Sequence, residues 1–333
     1  MTFVIAEIGQ AHDGSLGILH SYIDALSFTG VNAVKFQTHI AEAESSNYEP
    51  FRVNFSYEDN SRFDYWKRME LTLEQWISVK QHCDDVGLEF LSSPFSNMAV
   101  KLLEQVGVKR YKVGSGEVSN FLMLDKIART GKDIIISSGM SSFDELDDSI
   151  SFLKSYNNNI SILQCSTKYP TVANEIGLNV INELRERYNV PIGLSDHSGT
   201  IFPSLAAVTL GAEIIEFHAT FDRSLFGPDS KSSLTINEIK KVTEGIRFIE
   251  KSLQFNIDKS DNSRFSESKA IFEKSLAVNK DMKAGEEIVF NVLEAKKPSG
   301  YGISAKKYKY ILGKKIKNQM NKWDFLTEDN IFD

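Results

Sequence analysis

The feature that most constrains the fold is a series of eight short apolar segments that alternate with helical segments through the first 220 residues. Most of these segments are hydrophobic almost throughout, as is typical of strands covered on both faces in a parallel sheet. Eight strand–helix units predict an α/β fold of the TIM (β/α)8 barrel type. The predicted strands are FVIAEIG (3–9), AVKFQTH (33–39), EFLSSPF (89–95), RYKVGSG (110–116), DIIISSGM (133–140), ISILQCST (160–167), PIGLSDHS (191–198) and EIIEFHAT (213–220).

Helical segments separate these strands and favour a closed barrel over an open sheet. LTLEQWISVKQHCDDVG (71–87) and MLDKIARTG (123–131) have helical spacing of apolar residues and end in glycine, which commonly stops a helix. A doubly wound open sheet is the alternative. It fits less well, because no GxGxxG pattern opens a helix after the first strand.

The length and a change of pattern near the end of the chain indicate two domains. A chain of 333 residues can hold one (β/α)8 barrel and a small appendage. We place the barrel at 1–255, a polar linker at 256–272 and a small β-rich domain at 273–333, where short strands and turns replace the helical pattern. The aromatic and charged insertion 40–70 is expected either to cover the barrel mouth or to form a dimer contact.

Composition excludes several classes of protein. No apolar run reaches the roughly 20 residues of a membrane span, and the formal net charge of −7 argues against a nucleic-acid surface. The first strand lacks the basic start of a signal peptide and contains Glu7, so we expect a cytoplasmic protein. The two cysteines, Cys83 and Cys165, have no paired Cys/His spacing, which excludes a thiolate zinc site.

Two histidines end successive predicted strands within the stretch PIGLSDHSGTIFPSLAAVTLGAEIIEFHAT (191–220). The carboxyl ends of neighbouring parallel strands lie at the same face, so His197 and His218 are expected to converge there. Two neutral imidazoles would give a divalent metal ion two nitrogen ligands. The alternative is that each ring only forms a hydrogen bond with the barrel backbone.

Other predicted strand ends carry lysines among hydroxyl groups. Lys35 and Lys112 are candidate phosphate ligands, because phosphate needs cations to offset its charge and hydroxyl or N–H donors around its oxygens. Alternatively, each lysine forms a structural ion pair with Glu7 or Glu117. Spacing alone does not separate an aldol-type condensation from a phosphatase. The polar residues expected at this face are Glu7, Lys35, Gln37, Ser92, Ser93, Lys112, Ser115, Glu117, Ser137, Ser138, Thr167, Ser195, Asp196, His197 and His218.

Several of these strand ends belong to longer motifs. They are AEIGxxHxG (6–14), VKFQTH (34–39), SSPF (92–95), YKVGSGE (111–117), SSGM (137–140), GLSDH (193–197), IIExH (214–218) and GPD (227–229). In this order the motifs resemble those of the sialic acid synthase (N-acetylneuraminate synthase) family. The tail from about Ser275 is similar to the C-terminal antifreeze-like (SAF) domain of that family, so the resemblance covers essentially the whole chain.

The resemblance implies a transferase that condenses phosphoenolpyruvate with an open-chain N-acylated hexosamine aldehyde, by default N-acetylmannosamine, to a nine-carbon 2-keto acid with release of phosphate. It also implies a divalent cofactor, Mn²⁺ with Mg²⁺ or Co²⁺ as alternatives, and a domain-swapped homodimer. The implied roles are metal binding for His197 and His218, catalysis for Glu7, Lys35, Lys112 and Glu117, phosphoenolpyruvate binding for Lys35, Gln37, Ser93, Lys112, Ser115, Ser137, Tyr169 and Ser195, and acceptor binding for Phe95, Thr167, Asp229 and Lys297.

Four positions depart from the family pattern. Ala11 and Thr167 stand where the family has asparagine. Phe217 replaces the basic residue before the second histidine, and Lys297 replaces an arginine. We expect all four near the acceptor or the metal, with the phosphoenolpyruvate side intact. The acceptor stays open between N-acetylmannosamine, a legionaminic- or pseudaminic-type diacetamido sugar and a phosphorylated mannosamine. A sugar-phosphate-binding barrel without catalysis and a metal-dependent pyruvate aldolase are the competing hypotheses.

Overall fold

The computed structural model, which describes residues 1–53 and 55–333, contains a closed barrel of eight parallel strands. The strands pair in sequence order, and the first pairs with the eighth, which confirms the predicted TIM barrel. Six of the eight end one to three residues earlier than predicted, so the polar residues beyond them lie in loops. The strands are β1 (Phe3–Gly9), β2 (Ala33–Thr38), β3 (Glu89–Pro94), β4 (Arg110–Val113), β5 (Asp133–Ser137), β6 (Ile160–Cys165), β7 (Ile192–Asp196) and β8 (Ile214–Thr220).

Helices surround the barrel, and a two-residue strand, β9 (Leu234–Thr235), pairs in parallel with the end of β8. Capping boxes start four of the helices, at Ser61, Thr72, Ser142 and Thr235. Among the residues described, no helix is long and apolar enough to cross a membrane. The helices are α1 (Leu16–Ser27), α2 (Ala41–Glu44), α3 (Arg62–Met69), α4 (Leu73–Asp85), α5 (Asn97–Val106), α6 (Phe121–Ala128), α7 (Phe143–Lys154), α8 (Val180–Tyr188), α9 (Phe202–Thr209) and α10 (Ile236–Gln254).

One apolar layer inside the barrel places the functional side chains. The buried side chains of this layer are Ile5, Ala33, Leu91, Ile135, Leu163 and Ile214. Strand side chains alternate between faces, so the residue two positions further along each strand points to the same side, one step nearer the carboxyl end. These next positions are all polar or thiol-bearing: Glu7, Lys35, Ser93, Ser137, Cys165 and Glu216. The barrel interior is therefore apolar in this layer and polar one step nearer the carboxyl ends of the strands.

The insertion 40–70 carries α2 and α3, which pack together around a small apolar cluster. Ala41, Tyr65, Trp66 and Met69 are its buried members, with partly buried phenylalanines against them. Ser61 and Asp64 form the capping box that fixes the start of α3. The cluster gives the insertion a packed interior of its own, although Asn54 lies outside the described residues.

The chain divides into two compact units, Met1–Phe255 and Asn256–Asp333. The second unit has its own apolar core, which includes Leu276, Ile288 and Ile316. The predicted linker 256–272 is not irregular throughout, because its last seven residues form a helix whose Ala270 carbonyl accepts a hydrogen bond from the Ser299 backbone. The elements of this unit are α11 (Ser266–Phe272), β10 (Ser275–Val278), β11 (Leu293–Lys296), α12 (Tyr308–Ile311), β12 (Lys315–Ile316) and β13 (Ile331–Phe332), with β10–β11 and β12–β13 antiparallel.

Candidate functional site

A cavity of about 480 Å³ lies at the carboxyl ends of the barrel strands. Its polar lining is expected for a (β/α)8 barrel, where strand ends and the loops that follow them build the site. Of the sixteen site residues predicted from the sequence, Lys297 belongs to the second unit. The other fifteen line the cavity: Glu7, Lys35, Gln37, Ser93, Phe95, Lys112, Ser115, Glu117, Ser137, Thr167, Tyr169, Ser195, His197, His218 and Asp229.

Two buried lysines and two buried glutamates form the floor of the cavity. Lys35 Nζ lies 2.8 Å from Glu7 Oε1 and 3.6 Å from Glu216 Oε1. Lys112 Nζ lies 3.6 Å from that same oxygen of Glu216. The second carboxylate oxygen, Glu216 Oε2, has no hydrogen-bond partner among the described residues. Both lysines therefore share one carboxylate, and neither pairs with Glu117, whose Oε2 accepts a bond from Asn120 Nδ2 at 2.7 Å.

Three residues on the two neighbouring strands explain the ionisation of Glu7. In register, Glu7 pairs with Lys35 on β2 and with His218 on β8. Burial by itself would raise the pKa of Glu7, but Lys35 and His218 together hold it well below the ordinary range. Gln37 Nε2 also donates to Glu7 Oε1 at 2.7 Å. Glu7 is therefore a carboxylate at neutral pH, although almost no solvent reaches it.

The two lysines differ in how well their charge is balanced. Burial opposes the charge on Lys35, but Glu216 and Glu7 outweigh it and raise the pKa of that ammonium group. Burial dominates at Lys112, so the pKa of Lys112 is lowered in spite of Glu216. The Lys112 ammonium therefore lacks full compensation within the described structure. An anionic ligand would supply it.

Hydroxyl groups surround the lysines. Lys112 Nζ donates to Ser137 Oγ at 2.7 Å, and Lys35 Nζ lies 3.4 Å from Ser93 Oγ. Ser195 Oγ donates to Glu216 Oε1 at 3.0 Å. The Ser115 hydroxyl accepts a bond from the Gly139 backbone at 3.2 Å. Cations and hydroxyl donors on one floor are the combination that binds a phosphate or carboxylate group.

The two strand-end histidines converge as predicted. The ring centres of His197 and His218 lie 5.2 Å apart, and both rings are buried. His197 Nδ1 lies 2.8 Å from the carbonyl oxygen of Ser166, and His218 Nε2 lies 3.2 Å from Glu7 Oε2. A second-shell acceptor on one ring nitrogen is common for metal-binding histidine, because it fixes the tautomer and leaves the other nitrogen free. The two rings would give a divalent ion two nitrogen ligands, while the described residues contain no group of three His, Cys, Asp or Glu side chains placed to hold a metal ion.

Three aromatic rings form one wall of the cavity: His39 directly after β2, Phe95 directly after β3 and Trp66 on α3 of the insertion. His39 stacks between Trp66 and Phe95, with ring centres 3.9 and 4.6 Å away. Its ring nitrogens face Glu44 Oε1 at 2.6 Å and Gln37 Oε1 at 3.1 Å. The insertion 40–70 therefore lines the cavity, as expected of a cover over the barrel mouth.

Two residues that the sequence reasoning missed are central to this geometry. Glu216 precedes His218 by two positions on β8, so strand alternation alone would have placed both side chains on the inner face. Arg52 comes from the insertion, where no periodicity indicates which way a side chain points. Its Nη2 lies 2.6 Å from Asp229 Oδ1, and its guanidinium lies 4.1 Å from the centre of the Tyr169 ring.

The expectation that all four departures lie near the acceptor or the metal is wrong for Phe217. Its side chain is 1% exposed and packs into the apolar layer between strands and helices. Glu216 and His218 line the cavity on either side of it in sequence, so Phe217 faces outward. Ala11 also packs against that layer, whereas Thr167 lines the cavity.

Comparisons with known proteins find relatives that match most of the chain. The model of the NeuB family matches residues 22–258. An N,N'-diacetyllegionaminic acid synthase of Campylobacter jejuni is 35% identical over 94% of this chain and 95% of its own length. The human N-acetylneuraminate-9-phosphate synthase is 33% identical over 75% of this chain and 71% of its own. A crystal structure of N-acetylneuraminic acid synthetase from Leptospira borgpetersenii, in complex with citrate, superposes with a TM-score of 0.71 at 30% identity, covering 80% of this chain and 90% of that one.

Proposed function

We propose, from the premise that this chain belongs to the NeuB family and is a sugar-acid synthase, that it condenses phosphoenolpyruvate with an N-acylated hexosamine aldehyde. The product would be a nine-carbon 2-keto acid, and inorganic phosphate would leave. The observation that carries the proposal is the joining, in one cavity, of two buried lysines with hydroxyl donors and a pair of converging histidines. A phosphatase or a pyruvate aldolase would explain less of this set.

Phosphoenolpyruvate would bind on the floor of the cavity. Lys35 and Lys112 would offset the charge of its phosphate and carboxylate, and Ser93 and Ser137 would donate to their oxygens. Ser195 would join them by turning its hydroxyl from Glu216 to the ligand. The positions of the three hydroxyls support this assignment. Each lies within 3.4 Å of a lysine Nζ or of the Glu216 carboxylate that the lysines share. Anion binding would also relieve the uncompensated charge on Lys112.

A divalent metal ion, which we propose to be Mn²⁺ with Mg²⁺ or Co²⁺ as alternatives, would be held by His197 and His218. When bound, it would withdraw electrons from the carbonyl oxygen of the acceptor aldehyde. The support for this assignment is the free nitrogen that each ring retains beside a fixed partner. Glu7 Oε2, within 3.2 Å of His218, would keep that ring oriented.

The bonds change in a defined order. The aldehyde carbon of the acceptor accepts the electron pair of the phosphoenolpyruvate double bond at C3, which leaves positive charge at C2. Water adds at C2, and one of its protons ends on the former aldehyde oxygen, which becomes a hydroxyl group. The C2 hydroxyl then gives its proton to the phosphate as the bond between C2 and the phosphate ester oxygen breaks, which leaves the 2-keto group and inorganic phosphate. Glu7, a carboxylate on the cavity floor, would stabilise the positive charge at C2 and orient the water that adds there. Lys112 offsets the charge of the leaving phosphate.

The acceptor would lie toward the mouth, between Phe95, Thr167 and Asp229. An N-acylated hexosamine suits this wall, because aromatic rings pack against a sugar face while carboxylates accept its hydroxyl donors. N-acetylmannosamine is the default acceptor. The relative that makes N,N'-diacetyllegionaminic acid supports a 2,4-diacetamido trideoxyhexose as the alternative. A homodimer that brings Lys297 to the acceptor of the partner's barrel is part of this proposal.

Phosphate release with a panel of acceptors tests the function. The purified chain is mixed with phosphoenolpyruvate, Mn²⁺ and each of several N-acyl hexosamines. We expect stoichiometric phosphate and 2-keto acid with at least one of them, and ¹⁸O in the bridging position of phosphoenolpyruvate should leave with the phosphate. A panel in which no acceptor gives phosphate would contradict the proposal.

Metal binding is tested separately from turnover. Mn²⁺ binding, followed by electron paramagnetic resonance without substrates, should be lost in His218→Ala and retained in His82→Ala, a matched change on the outer helix α4. Unchanged Mn²⁺ affinity in His218→Ala would refute the ligand assignment whatever the activity.

A further inference from the structure

We infer that His39 is a positioning residue, which holds the Gln37 amide and through it the Glu7 carboxylate in place for the reaction. The inference rests on the proposed function only for the task of Glu7 at C2. Its evidence is a continuous row of hydrogen bonds from α2 of the insertion, along the wall of the cavity, to the floor. This relay consists of Glu44, His39, Gln37 and Glu7, and all four line the cavity.

The relay has three contacts, with the Gln37 amide at its centre. Glu44 Oε1 lies 2.6 Å from His39 Nδ1, and His39 Nε2 lies 3.1 Å from Gln37 Oε1. The other end of that amide, Gln37 Nε2, lies 2.7 Å from Glu7 Oε1. Gln10 Nε2 is a second donor to Gln37 Oε1. Every contact of the Gln37 side chain therefore depends on which way its amide points.

The carboxylates at the two ends of the relay determine the direction of each hydrogen bond. The lowered pKa of Glu7 leaves it ionised, so it can only accept, and Gln37 must turn its NH₂ group toward Glu7 and its oxygen toward His39. His39 Nε2 therefore donates. At the other end, Glu44 Oε2 accepts from the Ile40 backbone at 3.2 Å, and Glu44 Oε1 accepts from His39 Nδ1. The contacts are satisfied when both ring nitrogens carry a hydrogen, as an imidazolium ion beside a carboxylate.

The surroundings of the His39 ring suit an imidazolium ion. Its two faces stack on Trp66 and Phe95, and an aromatic face attracts a cation. Almost no solvent reaches the pair, because the side chains of His39 and Glu44 are 2% and 7% exposed. The ionisable group nearby on the loop after β1 is His12, whose pKa burial lowers to about 4, so it carries no charge at pH 7. His39 and Glu44 therefore form a buried ion pair that two rings hold in place.

The relay connects the insertion to the Glu7 carboxylate. Glu7 Oε1 accepts from the relay, and Glu7 Oε2 lies 3.2 Å from His218 Nε2, so each carboxylate oxygen has its own partner. A group that stabilises charge at C2 and orients one water has to be held to within about 0.5 Å. The side chains that fix the His39 ring on α2 and α3 belong to the insertion. The insertion therefore both covers the cavity and supports a carboxylate on its floor.

Two substitutions of His39 separate the relay from simple packing. The amide nitrogen of asparagine is as many bonds from Cβ as Nδ1 is, and that of glutamine is as many bonds from Cβ as Nε2 is. His39→Asn can therefore donate to Glu44 but not to Gln37, whereas His39→Gln can donate to Gln37 but not to Glu44. Both variants lose the ring that stacks between Trp66 and Phe95, so a packing role would affect them equally.

Turnover is the first readout, with kcat and KM for phosphoenolpyruvate measured at saturating acceptor and Mn²⁺. We expect kcat to fall about 10-fold in His39→Asn, the scale of one lost hydrogen bond, with KM within about threefold of wild type. In His39→Gln, kcat should stay within about threefold. Adding His39→Asn to Gln37→Met should lower kcat no further than Gln37→Met alone, because the relay is already broken. His82→Asn, on the outer helix α4, is the matched control and should resemble wild type.

Ring nitrogen signals are the second readout, and they need no turnover. Long-range ¹H–¹⁵N spectra at pH 7 without substrates distinguish protonated from unprotonated ring nitrogens, and the His39 and His218 signals are assigned from their variants. We expect both nitrogens of His39 to carry a hydrogen in wild type. The signals of His218, which lies beyond Glu7 at the far end of the relay, should shift in His39→Asn but not in His39→Gln.

The outcomes separate the inference from the proposed function. Equal kcat values in His39→Asn and His39→Gln would overturn the inference and leave the synthase assignment standing, because the donor to Gln37 would then have no effect of its own. An unprotonated ring nitrogen on His39 in wild type, or His218 signals that respond alike to both variants, would also overturn it. No phosphate release with any acceptor would overturn the proposed function, and the spectra would still decide whether the relay reaches the floor.

Discussion

Replacing Lys112 by methionine is expected to weaken phosphoenolpyruvate binding by about 30-fold while leaving the barrel at least as stable as wild type. The Lys112 side chain is 2% exposed. Its pKa is lowered by burial, since Glu216 compensates it only partly. A folded-state pKa below that of the unfolded chain means that the protonated lysine favours unfolding at neutral pH. Methionine has a similar length and removes that cost.

The magnitude follows from the contacts of the ammonium group. Lys112 Nζ donates to Ser137 Oγ at 2.7 Å and lies 3.3 Å from the Val113 carbonyl oxygen, so it is held over the cavity floor. A hydrogen bond to a charged group contributes about 1.5–3 kcal/mol, and about 2 kcal/mol corresponds to a 30-fold change in affinity. Glu216 keeps Lys35 at 3.6 Å and the Ser195 hydroxyl at 3.0 Å, so the substitution leaves no orphaned carboxylate.

Initial rates of phosphate release, measured against phosphoenolpyruvate at saturating acceptor and Mn²⁺, give KM and kcat. Urea unfolding of the same preparations gives the free energy of unfolding. In wild type, KM should rise at alkaline pH, because a lowered pKa makes Lys112 lose its proton sooner than an exposed lysine; the variant should lack this rise. Lys109→Met, at an exposed position three residues earlier, is the matched control.

The reasoning is refuted if KM for phosphoenolpyruvate in Lys112→Met stays within threefold of wild type. A loss of several kcal/mol in the free energy of unfolding of that variant would refute the expectation about stability. It would show that Lys112 stabilises the barrel, whereas we expect its buried charge to destabilise the barrel and to serve binding. In Lys109→Met, both quantities should match wild type.

Two further predictions concern buried ionisable groups in the barrel. Glu216→Gln should lower the free energy of unfolding at pH 7 by about 3 kcal/mol, because it removes the carboxylate shared by Lys35 and Lys112; a urea midpoint equal to that of wild type would count against the shared pair. Burial, with His39 and Arg68 nearby, lowers the pKa of His12 to about 4. The stability it contributes is present above the unfolded pKa of 6.5 and is lost as pH falls toward 4, by about 2 kcal/mol between pH 7 and pH 5. His12→Gln should reduce that acid sensitivity in urea unfolding at the two pH values, and an unchanged difference would contradict the assignment.

The sequence by itself determined the barrel and most of the cavity floor. Eight apolar segments separated by helical ones leave few alternatives to a closed parallel sheet, and parallel strands bring their carboxyl ends to one face. His197, His218, Lys35 and Lys112 could be placed there for this reason alone, before any contact was known. Their position depends on local strand pattern and on topology, both of which a sequence encodes directly.

Only the tertiary structure decided which charges share a partner and which face the acceptor. Glu216 became the common partner of two lysines because strands distant in sequence close into one barrel, and Phe217 turned outward because a strand alternates its faces. Arg52, which comes from an insertion without periodicity, forms an ion pair with Asp229, 177 positions later in the chain. Local pattern fixes the direction of a side chain within an element, whereas ion pairing depends on distances between elements, and those distances are set only when the chain packs.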